Sequence, residues 1–191
     1  MSLHKFGFAA SDQYDSRDFK KFLSTISSVL GRLPKAMPFN VPLLTIALYY
    51  VLAQYPHGHA VWVATHGNVA GHDNRNPQAS SVQANFKRSL TEREYAAWER
   101  AESCHRNHLE NMPLLVAAVF AGLLAENQIG SRGEVGLTAF CVGWMAIRVL
   151  YTANYLTTET QGWSYVRSGL YFAGTLWAMS VLGRAAWVLG S

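Results

Sequence analysis

Charged side chains are scarce in this sequence, making up 15% of 191 residues against roughly a quarter in a soluble domain. Cysteine is scarcer still. Cys104 and Cys141 each sit in an apolar stretch, which excludes a disulfide scaffold and reads as two buried thiols. No segment repeats at a fixed period, so a solenoid or propeller is excluded. The first 36 residues hold nine charges of both signs and no uninterrupted apolar core, so a cleaved secretory signal is not expected. The formal charge of +4 comes without any basic cluster interleaved with stacking aromatics, so no nucleic-acid partner is expected. Anionic lipid headgroups are the expected counterpart. What is present is apolar: 50% of residues are hydrophobic and 13% aromatic, which excludes a disordered chain.

The missing charges leave four gaps. Asp, Glu, Lys and Arg are absent from Ala36 to His72, from Asn111 to Ala125, from Val135 to Ile147 and from Ser168 to Gly183. A membrane-crossing helix needs about 20 mostly apolar residues, which predicts spans at Phe39 to Val63, Arg100 to Ala125, Val135 to Leu156 and Val166 to Leu189. The alternative, a soluble helical protein with membrane-like buried helices, is disfavoured by the length of these runs. The fold class is therefore all-α: an integral membrane, up-down four-helix bundle with an extra N-terminal amphipathic helix. That extra helix is read from Phe19, Phe22, Leu23, Ile26, Val29, Leu30 and Leu33 at helical spacing, between a cap at Ser16 and Pro34. Lying on the membrane surface and packing on the bundle are both open to it. The domain division is 1–36 for this polar segment and 37–191 for the transmembrane part. The connection from His72 to Thr91 reads as a long polar loop. Basic residues are spread over both sides, so the positive-inside rule assigns no orientation.

Ionisable residues inside such spans mark a functional site, because each is costly in hydrocarbon. In an up-down bundle the start of span two, the end of span three and the start of span four share one membrane face, and the polar residues sit there. Arg100, Ser103, Asn107 and Glu110 fall on one stripe of span two, with Arg106 beside it; Arg148, Tyr151 and Tyr155 form a stripe on span three; Arg167 and Tyr171 are spaced by four on span four. All are expected to aim into the bundle. Arginines that fork to carboxylates, a glutamate for an ammonium and an asparagine for an amide suit a compact anionic or zwitterionic molecule. Arg167 and Ser168 at a helix start suit a developing anion. Internal Arg–Glu pairing is the competing reading, but four arginines near one carboxylate leave positive charge over.

The run from Glu99 to Pro113 (ERAESCHRNHLENMP), the later Arg148-Val149-Leu150-Tyr151 with Tyr155, and Arg167-Ser168 with Tyr171 together resemble the MAPEG superfamily, the membrane-associated proteins in eicosanoid and glutathione metabolism. By motif they are most similar to its microsomal prostaglandin E synthase and glutathione transferase branches. The resemblance covers Phe39 to the C-terminus. It implies a four-helix membrane subunit assembled as a homotrimer in the endoplasmic reticulum or another intracellular membrane, with glutathione as cofactor between subunits and a lipophilic substrate. It also implies roles. Arg167 resembles the thiolate-stabilising arginine and Ser168 its helper; Glu110 looks like the partner of the glutathione amine; Arg106, Asn107, Arg148, Tyr151, Tyr155 and Tyr171 resemble binding groups. Arg100 joins them on the stripe. Ser103 stands where several active members carry a further arginine, and Arg75 in the first loop is the candidate substitute.

Three functions follow as expectations. The first is a glutathione-dependent enzyme performing conjugation, peroxide reduction or isomerisation. The second is a glutathione-independent isomerase or cyclase of a lipophilic metabolite, and the third a non-catalytic lipid-binding partner. His57, His59, His66 and His72 lack a companion cysteine or carboxylate set, so no metal is expected. Trp62, Trp163 and Trp187 suit an interfacial aromatic belt. His105 and His108 read as pocket-edge residues.

Overall fold

The computed structural model describes residues 40–71, 75–76, 79–130 and 133–191, together with Ser24. The chain divides into two compact units, Met1–Phe39 and Asn40–Ser191, and the second is described here. The predicted N-terminal amphipathic helix lies outside the described residues, Ser24 apart. Among the described residues the structure is all helical, with no strand: α1 (Val41–Ala64), a 3₁₀ turn (Val69–Gly71), α2 (Ser80–Ser89), α3 (Glu92–Ile129), α4 (Leu137–Thr157) and α5 (Gln161–Gly190).

Local chemistry sets the ends. At α1 the Asn40 side chain accepts from Leu43 N at 3.1 Å, with Pro42 in the first turn, where its missing N–H costs nothing. The start of α3 is a capping box, in which Glu94 N donates to Thr91 Oγ1 at 3.3 Å and Thr91 N to Glu94 Oε2 at 2.8 Å. Gly130 closes α3 in the left-handed region, φ 69°, which glycine adopts without a Cβ clash.

The four long helices run alternately up and down. Along α1, Tyr49, Ala53 and His57 meet His108, His105 and Glu102 of α3 in reverse order. Asn107 and Glu126 of α3 meet Arg148 and Leu137 of α4, and Phe140 and Tyr155 of α4 meet Trp177 and Arg167 of α5. The shared core holds Tyr49, Leu115, Val119, Leu137, Phe140, Trp144 and Val181. Two of its contacts need glycine: the Leu137 side chain lies 2.8 Å from where a Cβ of Gly122 would stand, and the Trp177 ring occupies the place of a Cβ at Gly143.

One expectation is corrected. The stretch from His72 to Thr91 is not all loop: α2 occupies half of it, and α3 starts at Glu92, ahead of Arg100. Phe86 and Tyr95 stack on Trp98, and Leu90, Trp98 and Ala101 bury against Ala60 and Leu156, so apolar burial at this end of the molecule makes these residues helical. Of the four expected spans, those on α3 and α5 are long and apolar enough to cross a membrane by length and composition. Gln54, His57 and His59 in α1, and Arg148 and Asn154 in α4, lower the apolarity of the other two.

Candidate functional site

Arg148 is the centre of the polar region. It sits on α4 with no exposed surface, and its guanidinium is stacked 4.5 Å from the Trp144 ring centre, 5.4 Å from Tyr151 and 5.8 Å from Tyr171. Nη1 donates to Asn107 Oδ1 at 3.4 Å, while Nε and Nη2 are buried without a hydrogen-bond partner among the described residues. No described carboxylate pairs with it. Ring faces offset part of the cost of burying a cation, but an unfilled buried donor costs about 1–3 kcal/mol.

The contacts continue toward α5. Tyr151, 3% exposed, packs edge-on against Tyr155 at 5.4 Å, and Arg167 lies 4.2 Å over the Tyr155 ring. Asn107, Arg148, Tyr151, Tyr155, Tyr171 and Arg167 are thereby joined across α3, α4 and α5.

The rest of the expected set is placed otherwise. Arg106 and Glu110 are exposed on the outer flank of α3, and Ser168 is exposed on α5. The expectation that every polar group aims inward is therefore wrong for these three. The cause is geometric: at 100° per residue, His108 stands roughly opposite both Arg106 and Glu110, and it is His108 that is buried. Arg106 Nη2 donates to Ser103 Oγ at 3.2 Å, Ser168 Oγ donates to Ser164 O at 3.4 Å, and Glu110 pairs with no described residue. Arg100 is drawn away from the stripe, its Nη2 3.8 Å from Glu159 in the α4–α5 connection, where Arg93 also approaches at 3.7 Å. Arg75 lies exposed on the connection between α1 and α2.

A model of the MAPEG family matches residues 41–187, a stretch that contains all of the residues just described. The chain belongs to the MAPEG family. No curated protein and no solved structure matches it.

Two polar clusters of this MAPEG protein escaped sequence reasoning. His57 Nδ1 donates to Glu102 Oε1 at 2.8 Å, with the His105 ring 5.1 Å away and His105 Nδ1 donating to Ala53 O at 2.7 Å. These pairs join different helices, so no spacing within one helix announces them. The second cluster surrounds His108, on the face of α3 that its neighbours Ala101, Cys104 and Leu115 mark as apolar. That apolar marking was the available signal.

Proposed function

We propose that this MAPEG protein is a glutathione-dependent membrane enzyme, a four-helix transmembrane subunit working as a homotrimer in the endoplasmic reticulum or another intracellular membrane. The observation that supports it best is a charge inventory. Among the described residues, Arg106, Arg148 and Arg167 carry no carboxylate partner, and Glu110 carries no cationic one. Glutathione at the moment of reaction offers the complement: two carboxylates and a thiolate for three guanidinium groups, and one ammonium for one carboxylate. The exposed position of Arg106 and Glu110 on a single chain fits a ligand held between neighbouring subunits.

Bound glutathione supplies a sulfur nucleophile. The chain's own part is to make and hold the anion. Arg167 lies over the Tyr155 ring, which packs on Tyr151 and so links it to the buried Arg148, and cations next to a thiol favour the thiolate. Ser168, one residue on, carries a hydroxyl that would turn from Ser164 O to donate to the same anion. Asn107 holds Arg148 at Nη1 and leaves two donors for a carboxylate. An apolar second substrate has a route along the outer face of α5, where Phe172, Leu176 and Met179 are exposed. Conjugation, peroxide reduction and isomerisation all begin from this activated sulfur.

The test is the ultraviolet thiolate absorbance on titrating glutathione into the detergent-purified protein, beside Arg167→Ala and Glu110→Gln. Wild type is expected to develop the signal, Arg167→Ala to bind without it, and Glu110→Gln to bind more weakly. A wild type that neither binds nor develops the signal would discard the proposal. Ser103 favours one second reading: in place of another arginine it only accepts a bond from Arg106, which suits a glutathione-independent isomerase or cyclase of a lipophilic metabolite.

A further inference from the structure

His108 lies at the meeting of three helices with no exposed surface. Its Nε2 is 2.8 Å from Thr152 Oγ1 on α4, and its Nδ1 is 3.1 Å from Tyr49 Oη on α1. Tyr49 Oη also donates to the His108 carbonyl at 3.0 Å. The Thr152 hydroxyl donates to Arg148 O at 2.8 Å, as the Tyr49 hydroxyl does to His108 O. Each ring nitrogen of His108 thus lies within hydrogen-bond distance of a hydroxyl that also reaches a backbone carbonyl. Every polar atom of the bridge has a partner, and the bridge ends on the backbone of Arg148.

This end point ties the bridge to the site. Thr152 is one turn beyond Arg148 on α4, and His108 directly follows Asn107 on α3. The His108–Thr152 bond and the Asn107–Arg148 bond thus cross the same α3–α4 seam within one turn of each other. Sliding or rotating α4 on α3 breaks both together. The Asn107 contact alone is a weak guide, at 3.4 Å and with Asn107 Oδ1 also accepting from Asn111 Nδ2 at 3.3 Å. The shorter, fully buried His108 bond is the stiffer constraint.

We propose that His108 is a positioning residue for Arg148: the Tyr49–His108–Thr152 bridge sets the register of α4 on α3, so that Asn107 takes Nη1 and Nε and Nη2 face an incoming anion. The inference rests on the proposed function only for the identity of that anion. A histidine that merely satisfied the core would hold the fold together without governing where the guanidinium points.

The experiment uses the full chain in detergent with Thr152→Val, which keeps shape and removes the hydroxyl, and Thr152→Ser, which restores it. Two quantities are read: glutathione affinity, and the Nε–H resonance of Arg148 in a ¹⁵N-arginine spectrum, assigned as the peak missing from Arg148→Lys. Thr152→Val is expected to displace the resonance and weaken glutathione binding about tenfold, the loss of one buried hydrogen bond, while Thr152→Ser returns both to near wild type. Tyr49→Phe, which removes only the far hydroxyl, is expected to shift the resonance in the same direction. A resonance unmoved in both Thr152→Val and Tyr49→Phe overturns the inference, as does unchanged affinity in a protein whose wild type binds. A resonance that responds in a protein that does not bind glutathione supports the positioning role and removes the functional reading alone.

Discussion

Arg148 has no exposed surface, no described carboxylate beside it and two donors without a partner among the described residues, a combination that costs stability. Replacing buried ionic groups by apolar ones of similar volume is often neutral or stabilising. Arg148→Met is therefore expected to hold or raise the thermal unfolding midpoint of the detergent-solubilised protein while abolishing glutathione binding. A midpoint that falls by many degrees would show that Arg148 serves the fold instead. At this scale much of the site was legible. Arg148, Tyr151 and Tyr155, and Arg167 with Tyr171, have spacings that place each set on one helical stripe, and the structure joins them. The directions of Arg106 and Glu110 were not legible. Helical period fixes the angle between two side chains but not which angle faces the core, and the deciding residue, His108, has a polar side chain on the buried face.

Helix ends and close helix contacts carry the next predictions. Thr91→Ala removes a cap that typically contributes about 1 kcal/mol, and is expected to fray the first turn of α3, seen as faster amide hydrogen exchange at residues 92–95. The same box responds to acid. Glu94 lies ahead of the stretch read as crossing the membrane, and its carboxyl is held below the usual carboxylate range by the Thr91 backbone N–H, then by the Thr91 hydroxyl, with a smaller pull from His66. A lowered native pKa means that the contribution is present above the ordinary carboxylate pKa and lost as pH falls through the lowered value. The extra protection of wild type over Glu94→Gln at these amides is expected at pH 7 and should vanish in strong acid; a difference independent of pH would refute the assignment. In the body of the helices, Gly143→Ala sets a methyl against the Trp177 ring, and overpacking of this kind costs about 1–3 kcal/mol. A midpoint equal to wild type would mean that α4 and α5 separate freely. The Thr91-x-x-Glu94 pattern was readable in the sequence as a helix start. Marking helices by charge-free gaps hid it, since a gap reports the apolar stretch of a helix and not its polar turns.

For the molecule as a whole, alternation of the long helices followed from their short connections, whereas the apolar cap of Phe86, Leu90, Tyr95 and Trp98 needed contacts between segments that no local pattern encodes. Arg106 and Glu110 face outward on one chain, which suits the proposed site shared between subunits. Chains carrying Glu110→Gln and chains carrying Arg167→Ala, each impaired alone, are expected to regain thiolate formation when co-expressed, because in the proposed trimer a mixed assembly would contain some sites with both groups intact. Co-expression without recovery would place the whole site within one subunit.

The 38 residues of α3 make a rod of roughly 57 Å at 1.5 Å per residue, against a hydrocarbon layer of about 30 Å. A helix of that length crossing such a layer leaves several turns outside it, and its first turns, from the capping box to Trp98, are the polar ones, while Phe120 and Leu124 toward its other end are exposed. For the proposed reaction, a water-soluble peptide and an oil-soluble partner, which partition into different phases and rarely meet in bulk, would meet at one height midway along this helix, where Asn107 and Glu110 stand.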